Sequence, residues 1–292
     1  MLPTDDTEGP RHAGTEVLHS VLERVKQLTV RHGTVRVLLF CFEGRLRLCA
    51  GLSAVIAVLL LLLAVPATAL EGSVDLSLQS AYIWRGMVLN DEPVFQPSVT
   101  VSSGGFSTSV WGNVDLTSAN GARGVASEMD YWLAYTVAGK NVDLTVTYYD
   151  YTYPHSSSLS TQEVWAAVTF KTVPLSPSLT VIRDVNVIKG WYVLLTGSQD
   201  LGLLKTGASD GLALTLNLGH GTKAYAQGYF PGIGADRVTD YGVRLDWPLR
   251  AGPGTLELGV GYTSFTDPRV YTPGFEGKRA NLVGGLVYSI PF

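Results

Sequence analysis

The chain has 292 residues and a formal net charge of -4, with 16% charged residues and 32 glycines. An average globular protein has about 25% charged residues and about 7% glycine. The low charge and a mean hydropathy of +0.19 argue against a disordered chain. The lack of a basic excess argues against a nucleic-acid partner, and two cysteines argue against a disulfide scaffold. Because one apolar stretch alone approaches spanning length, a helical membrane bundle is excluded. A soluble β-protein or a membrane β-barrel remains.

Residues 47–69 have the features of a secretory signal peptide. Arg47 precedes 17 uncharged residues, Cys49 to Val65, and Ala67-Thr68-Ala69 matches a small-residue cleavage site. A short transmembrane anchor is the alternative, but the stretch is at the lower limit for a span. Residues 1–46 form an N-terminal extension that we interpret as an over-extended gene start. The working protein is then residues 70–292, which contain no cysteine.

From residue 70 onward, apolar and polar residues alternate in successive runs. Around Tyr131 the odd positions are apolar, and Glu128 and Asp130 lie between them. A period of two is typical of strands with one apolar face, and about 9–11 residues suffice for a tilted strand to cross a bilayer. The sequence therefore predicts an all-β fold, a transmembrane up-and-down antiparallel β-barrel of about 12 strands. The predicted strands are 73–85, 94–102, 106–117, 127–138, 141–153, 161–172, 177–187, 190–199, 210–219, 237–249, 254–265 and 279–292.

The connections between these runs alternate in length, as in outer-membrane barrels with short periplasmic turns and longer outer loops. Two places depart from the pattern. The connection at 200–209 is too long for a periplasmic turn, so we expect an error in a strand boundary there. Residues 182–184 interrupt the alternation, which predicts a β-bulge. The short connections are 103–105, 139–140, 173–176 and 250–253, and the long ones are 86–93, 118–126, 154–160, 220–236 and 266–278.

The chain ends on an alternating apolar strand whose last residue is phenylalanine. Leu286, Tyr288, Ile290 and Phe292 share one face, a pattern typical of the assembly signal that the barrel insertion machinery recognises. A soluble domain more often ends in a frayed polar segment. In lipid every backbone polar group needs an internal partner, which requires a closed barrel. We therefore predict the outer membrane of a Gram-negative cell as the location, with its lipid as a partner.

Several short motifs add a family resemblance. Residues 80–86 read Ser-Ala-Tyr-Ile-Trp-Arg-Gly, and residues 112–115 read Gly-Asn-Val-Asp; Gln96-Pro97, 177–184 and Gly190-Trp191-Tyr192 complete the pattern. Over most of 72–292 the sequence resembles the TorF-type porin family. The resemblance implies an outer-membrane barrel and no catalytic residues. Family members follow Arg-Gly with a small polar stretch, whereas this chain has Met-Val-Leu-Asn at 87–90.

The strand pattern assigns most charges of the barrel to the side that faces away from lipid. We expect ten acids and three bases there, a net excess that favours cations in a water-filled lumen. The alternative is that these charges pair across the barrel and plug it. The candidate lumen charges are Asp75, Arg85, Asp115, Glu128, Asp130, Asp143, Glu163, Lys171, Asp184, Asp240, Arg244, Asp246 and Glu257.

Three functions are open to a barrel of this kind. A porin or channel for small hydrophilic solutes or ions agrees best with the pattern. A structural or adhesion barrel would use loops 220–236 and 266–278 to bind partners. A lipid hydrolase needs a serine and a histidine, and the working protein has only His155 and His220, both in predicted outer loops. Residues 219–221 indicate the start of a flexible loop. Since neither metal spacing nor a phosphate loop is present, we predict no enzyme and no cofactor.

Overall fold

The computed structural model describes residues 70–121, 123–155, 160–230, 234–272 and 280–292, which belong to one compact unit. Residues 1–69, with the predicted extension and signal peptide, lie outside the described residues. The barrel strands are β1 (Glu71–Gln79), β4 (Val94–Ser103), β5 (Phe106–Asp115), β6 (Ala126–Ala138), β7 (Val142–Thr152), β8 (Thr161–Phe170), β9 (Ser178–Asp184), β10 (Trp191–Asp200), β11 (Ala213–Gly221), β12 (Val238–Ala251), β13 (Gly254–Phe265) and β14 (Ala280–Pro291). A hairpin of β2 (Tyr82–Trp84) and β3 (Met87–Asn90) and the helix α1 (Lys223–Tyr229) complete the described elements.

Within the described residues, twelve strands pair antiparallel with their neighbours and close into a barrel. The first barrel strand, β1, completes the ring because it pairs with β4 on one side and with the last strand, β14, on the other. The predicted antiparallel barrel and its strand number are confirmed. We call the end that carries connections 80–93, 116–125 and 222–237 the loop end, and the opposite end the turn end.

The outer face of the barrel is apolar and the inner face is polar. On β7, Leu144, Val146 and Tyr148 point outward, and Val146 is 57% exposed. Thr145 and Thr147 alternate with them and face inward, because successive residues of a strand lie on opposite faces. Acidic residues are buried on the inner faces of the strands near the loop end: Asp115, Glu128, Asp130, Glu163, Asp184 and Asp240. This arrangement is the reverse of a soluble barrel with an apolar interior.

The first predicted strand is too long. β1 ends at Gln79, and the chain then turns into the barrel as the β2–β3 hairpin instead of continuing to residue 85. Arg85 and Gly86 at the hairpin tip both have positive φ angles, 46° and 80°. Two consecutive residues with positive φ are typical of a type I′ turn, the tight connection that suits the twist of a hairpin. Alternation alone cannot separate a barrel strand from such an inward hairpin.

The long connection between β10 and β11 is longer than predicted, since β11 begins at Ala213 and not at residue 210. Residues 201–212 lie along the part of β12 that extends beyond the start of β11. There the backbone N–H of Arg250 donates to the carbonyl oxygen of Ala208 at 2.7 Å, and the Arg250 side chain binds Asp210 at 3.0 Å. The connection therefore pairs part of an otherwise open strand edge, which explains its length.

The predicted bulge at residues 182–184 is wrong. β9 pairs with β8 and β10 without a register shift. Ile182 points inward and is buried, while Arg183 points outward with its guanidinium 5.0 Å from the centre of the Trp191 ring. An apolar residue faces inward here because the barrel interior contains an apolar cluster at this level. A register shift does occur between Asn113 and Val114, on β5.

The apolar cluster inside the loop end comes from strand ends, the hairpin and the connection that carries α1. It includes Met87 of the hairpin and Tyr225, Ala226 and Phe230 of the α1 region. Gly190 permits this packing, because a Cβ atom there would lie 2.6 Å from the backbone nitrogen of Tyr225. The described part of the predicted loop 220–236 thus packs inward through Tyr225, Ala226 and Phe230, while Lys223 and Asp236 remain exposed. Among the described residues, no helix is long and apolar enough to cross a membrane.

Candidate functional site

The hairpin is fixed inside the barrel by an ion pair between Arg85 at its tip and Glu163 on β8. Arg85 Nη1 donates to Glu163 Oε1 at 2.9 Å, and Arg85 Nη2 donates to Glu163 Oε2 at 2.6 Å. The Tyr151 hydroxyl and the Trp165 indole N–H also donate to Glu163 Oε2, at 3.0 and 2.8 Å. Both charged side chains are buried, with exposed fractions of 7% and 1%. The buried charge of the Glu163 carboxylate is therefore balanced by one guanidinium and stabilised by four hydrogen bonds.

Aromatic rings surround the Arg85 guanidinium. Its central carbon lies 4.2 Å from the centre of the Trp84 ring and 4.7 Å from that of Tyr192. Trp165 and Tyr225 are 5.6 and 6.0 Å away. A guanidinium over aromatic faces gains cation–π attraction, which is larger when water is excluded. The hairpin tip is thus held by charge, hydrogen bonds and stacking together.

Further polar contacts fix the two strands of the hairpin. The Tyr82 hydroxyl donates to Glu128 Oε2 at 2.9 Å, and the Asn90 side-chain amide donates to Asp115 Oδ1 at 2.9 Å. The backbone N–H of Val88 donates to the hydroxyl of Thr272 at 2.8 Å. We call the β2–β3 hairpin and α1 together the plug, because both pack buried side chains into the barrel interior at the loop end.

Each base among the predicted lumen charges forms an ion pair with one of the predicted acids. Arg85 binds Glu163 across the barrel, whereas Arg244 binds Asp246 on the same strand, with Nε 2.7 Å from Oδ1. Lys171 binds Asp143 at 2.8 Å, and both side chains are partly exposed beside the turn at 139–141. That third pair therefore lies at the turn end and not deep in the lumen. These pairs leave an acidic remainder: Asp75, Asp115, Glu128, Asp130, Asp184, Asp240 and Glu257.

Neutral donors satisfy much of this acidic remainder. Asp184 accepts backbone N–H bonds from Asn186, Ile188 and Lys189, at 3.0 to 3.1 Å, through Oδ1. Its Oδ2 accepts from the hydroxyl of Thr161 at 2.7 Å. Among the described residues, Oδ1 of Asp130 and Oδ2 of Asp240 are buried without a hydrogen-bond partner. Hydrogen bonds from N–H and O–H groups stabilise buried carboxylates without cancelling their charge.

The hydrogen bond of the Tyr192 hydroxyl gives a testable prediction about the stability of the barrel. It donates to Asp240 Oδ1 at 2.6 Å, and both residues are 1% exposed. Tyr192→Phe removes this donor from a buried carboxylate, so we expect the free energy of unfolding to fall by about 1–3 kcal/mol. Urea titration of the folded barrel measures the change. Tyr241→Phe on the exposed outer face of β12 is the matched control, and equal losses from the two variants would contradict the assignment.

A cavity of about 320 Å³ lies inside the barrel beside the hairpin. Hairpin residues Arg85 and Gly86 border it on one side. Side chains from β1, β4, β11, β12 and β13 border it elsewhere, among them Gln79, Gln96, Asn217 and Arg244. Sites for small molecules have volumes of about 300–1,000 Å³, so this cavity is at the lower end of that range.

The sequence pattern placed charges on the inner face but missed the residues that fill the interior. Tyr192, Tyr225 and Phe230 occur in segments that the pattern assigns to an ordinary strand or loop. The motif at 80–86 marks the hairpin in the sequence, but the alternation does not predict that the hairpin turns inward. The apolar Met87 and Val88, which depart from the family pattern, are buried in the interior. That departure was the available signal for an inward-packed first loop.

The two histidines of the hydrolase alternative belong to different elements of the fold. His220 is part of β11, which corrects its predicted place in a flexible loop, and its Nδ1 lies 2.8 Å from the hydroxyl of Thr239. His155 lies in the connection after β7. Within the described ranges no cluster of three or more His, Cys, Asp or Glu residues could hold a metal ion.

Solved structures with some similarity to this chain include the NanC porin and two bacterial proteins, OccAB3 and OpdQ. The NanC porin is 11% identical with a TM-score of 0.41, covering 76% of this chain and 98% of that chain. OccAB3 of Acinetobacter baumannii is 9% identical with a TM-score of 0.36, covering 76% of this chain and 64% of that chain. OpdQ of Pseudomonas aeruginosa is 10% identical with a TM-score of 0.35, covering 75% and 62%. All three TM-scores are below 0.5, so the fold rests on the strand pairing of this chain.

No curated protein matches this sequence, and the resemblance to the TorF-type porin family stays a prediction. The family model described as "Bacterial protein of unknown function (Gcw_chp)" matches residues 64–247. Because the match covers more than half of the chain, this protein belongs to the Gcw_chp family.

Proposed function

We propose that this protein is an outer-membrane channel for small hydrophilic solutes or ions, closed at the loop end by the plug in the conformation described. The observation that carries the proposal is the closed barrel with an apolar outer face and a polar inner face. A closed ring of strands satisfies every ladder hydrogen bond without water, which a lipid environment requires. In this orientation the loop end faces outward and the turn end faces the periplasm.

A membrane location gives a prediction about the outer face. Val146 is near the middle of β7 and is 57% exposed. Val146→Arg would place a charge in the hydrocarbon region, so we expect a loss of about 2–4 kcal/mol in the free energy of unfolding in phospholipid vesicles. Urea titration in vesicles measures it. Ala119→Arg in the exposed connection 116–125 is the control, and a similar small effect of both variants would count against a lipid-facing belt.

We further propose that the open channel prefers cations. After the three ion pairs are formed, the inner face retains seven acids and no unpaired base among the predicted lumen charges. The hairpin also carries Arg85, so its departure from the lumen would leave Glu163 on the wall as an eighth acid. An acid-lined pore attracts cations and repels anions.

The experiment is electrical. The purified full chain is inserted into planar lipid bilayers, and the reversal potential is measured across a KCl gradient. We expect a reversal potential of the sign that marks K⁺ as the more permeant ion. Current carried mainly by Cl⁻ would overturn the cation preference while leaving the channel intact.

The plug also supports a second function, a structural or adhesion barrel that does not conduct. The filled loop end is the specific observation in its favour. Bilayer recordings separate the two functions, because a structural barrel stays silent even when the plug is released by substitution. The assembly signal at Leu286, Tyr288, Ile290 and Phe292 applies to both functions and remains a proposal. In the described barrel, the backbone of Phe292 pairs with that of Gly72 in both directions at 2.9 Å.

A further inference from the structure

Along one wall of the cavity beside the hairpin, polar side chains lie flat against the backbone of glycines. Gly242, Gly259 and Gly285 lie on the inner faces of β12, β13 and β14. A Cβ atom on Gly242 would come 2.5 Å from Oδ1 of Asn217. Cβ atoms on the other two glycines would clash with the ends of Arg244 and Gln79, respectively. The missing side chains therefore leave the space in which these three polar groups lie against the wall.

Hydrogen bonds to neighbouring strand residues orient two of the amides that border the cavity. The Gln79 amide nitrogen donates to the Ser77 hydroxyl at 2.7 Å. The Gln96 amide nitrogen donates to Asn113 Oδ1 at 3.0 Å. Since each amide nitrogen has a partner on the wall, each carbonyl oxygen remains as an acceptor. Such fixed orientation lowers the entropy cost of binding a ligand.

The charges at the cavity are matched within the protein. Arg85 forms its two bonds to Glu163, and Arg244 is paired with Asp246 through Nε. The residues that line the cavity include amides, hydroxyls and two guanidinium groups, and no carboxylate is among the described lining residues. Amides both donate and accept hydrogen bonds, and guanidinium groups donate. A hydroxyl group both donates and accepts, so it can pair with every member of this set.

From this geometry we infer that the cavity is a binding site for a small neutral solute rich in hydroxyl groups, of about the size of a single sugar ring. The hairpin forms one side of the site, and the glycine wall with Asn217, Arg244 and Gln79 forms another. The inference deepens the proposed channel function, because it names the class of solute that would stop on its way through the barrel. The binding itself does not require conduction.

Two substitutions test the site in different ways. Gly261 borders the cavity, and a Cβ atom there meets its nearest neighbours at an ordinary distance of 3.7 Å. Gly261→Leu therefore fills the cavity without a clash at Cβ. Gly242→Ala instead displaces the Asn217 amide from the wall. Gly284→Ala is the matched control, because nothing lies within 4 Å of a Cβ atom at that strand position.

Binding is measured by saturation-transfer NMR on the full chain in lauryldimethylamine oxide, a detergent without a sugar headgroup. D-glucose is the neutral probe and D-gluconate the anionic one. We expect glucose signals with the unmodified protein and with Gly284→Ala, and at least a fivefold loss with Gly261→Leu and Gly242→Ala. Retained heat-modifiability on gels verifies that each variant is a folded barrel.

Each result has a defined meaning. No glucose signal with the unmodified protein, or equal signals from all folded variants, overturns the site. Signals from gluconate alone overturn the neutral class, because they assign recognition to a carboxylate. Glucose binding in a barrel that never conducts supports the site and contradicts the channel. Conduction without glucose binding does the reverse, so the failures of the two proposals are distinguishable.

Discussion

Arg85→Ala is expected to loosen the plug and raise the conductance of the barrel. The substitution leaves the Glu163 carboxylate buried with two neutral donors, Tyr151 and Trp165. Removal of one partner of a buried ion pair costs about 3–5 kcal/mol. If the hairpin stays in place, the free energy of unfolding of the barrel falls by this amount. If the hairpin leaves, water reaches Glu163 and the cost is relieved. Urea titration measures the first, and single-channel recording measures the second.

Arg269→Ala is the control for this prediction. Arg269 is an exposed residue whose guanidinium binds Asp267 at 2.7 Å. Because Arg269 is 82% exposed and exposed ion pairs contribute about 0–1 kcal/mol, we expect at most a small change in stability and no change in current. Arg85→Lys is informative as well, since lysine keeps the charge but loses the two-pronged contact. If Arg85→Ala matches the unmodified protein in both measurements, the ion pair does not hold the plug.

Gly190→Ala is expected to displace α1 from the barrel interior. The added Cβ atom would lie 2.6 Å from the backbone nitrogen of Tyr225 and 2.7 Å from its Cα. A backbone cannot rotate away as the end of a flexible side chain can, so the helix itself has to shift. Such overpacking typically costs about 1–3 kcal/mol. Loss of the Tyr225 packing also weakens the aromatic surroundings of Arg85, so we expect increased current together with reduced stability.

The measurements are urea titration and single-channel recording, as for the arginine variant. Gly112→Ala is the matched control, because its Cβ atom would meet its nearest neighbour at 3.6 Å. A stable, fully closed Gly190→Ala barrel would show that α1 does not contribute to closure. A stable barrel with increased current would instead separate the closure from the overall stability of the fold.

Both variants act on one physical unit. The hairpin tip and α1 meet around the Arg85 guanidinium, where Trp84 and Tyr229 also pack edge to face with ring centres 5.2 Å apart. Neither segment is a barrel strand, so both can move without breaking the strand ladder. A plug of this kind is a two-state element whose equilibrium a bound solute or a substitution can shift.

The architecture of the barrel could be predicted from the sequence. Alternation such as that around Tyr131 assigns each residue to a face, and the number of runs gave the strand count. A strand repeats its environment every two residues along its length, so a local pattern contains this information. The inner placement of Glu163 and Asp240 followed from the same rule.

The same rule could not predict how the interior is filled. Arg85 continues the alternation of β1, yet it belongs to a hairpin that turns into the barrel. Ile182 keeps the inward–outward alternation of the strand, because it points inward and packs in the apolar cluster there. The positions of both residues depend on contacts with residues far away in sequence, and a local periodic pattern gives no information about such contacts.

What the sequence alone determined is the barrel: its strand number, its antiparallel order and its apolar exterior, since these depend on residues two positions apart. What the tertiary structure decided is the state of the lumen. The hairpin, α1, the Arg85–Glu163 pair and the cavity beside Asn217 and Gly261 arise from contacts between segments that are far apart in sequence. The two residues of the ion pair are 78 positions apart, and Val88 and Thr272 are 184 apart. Closure of the barrel brings such segments together, and only then does an acidic inner face acquire a plug and a cavity.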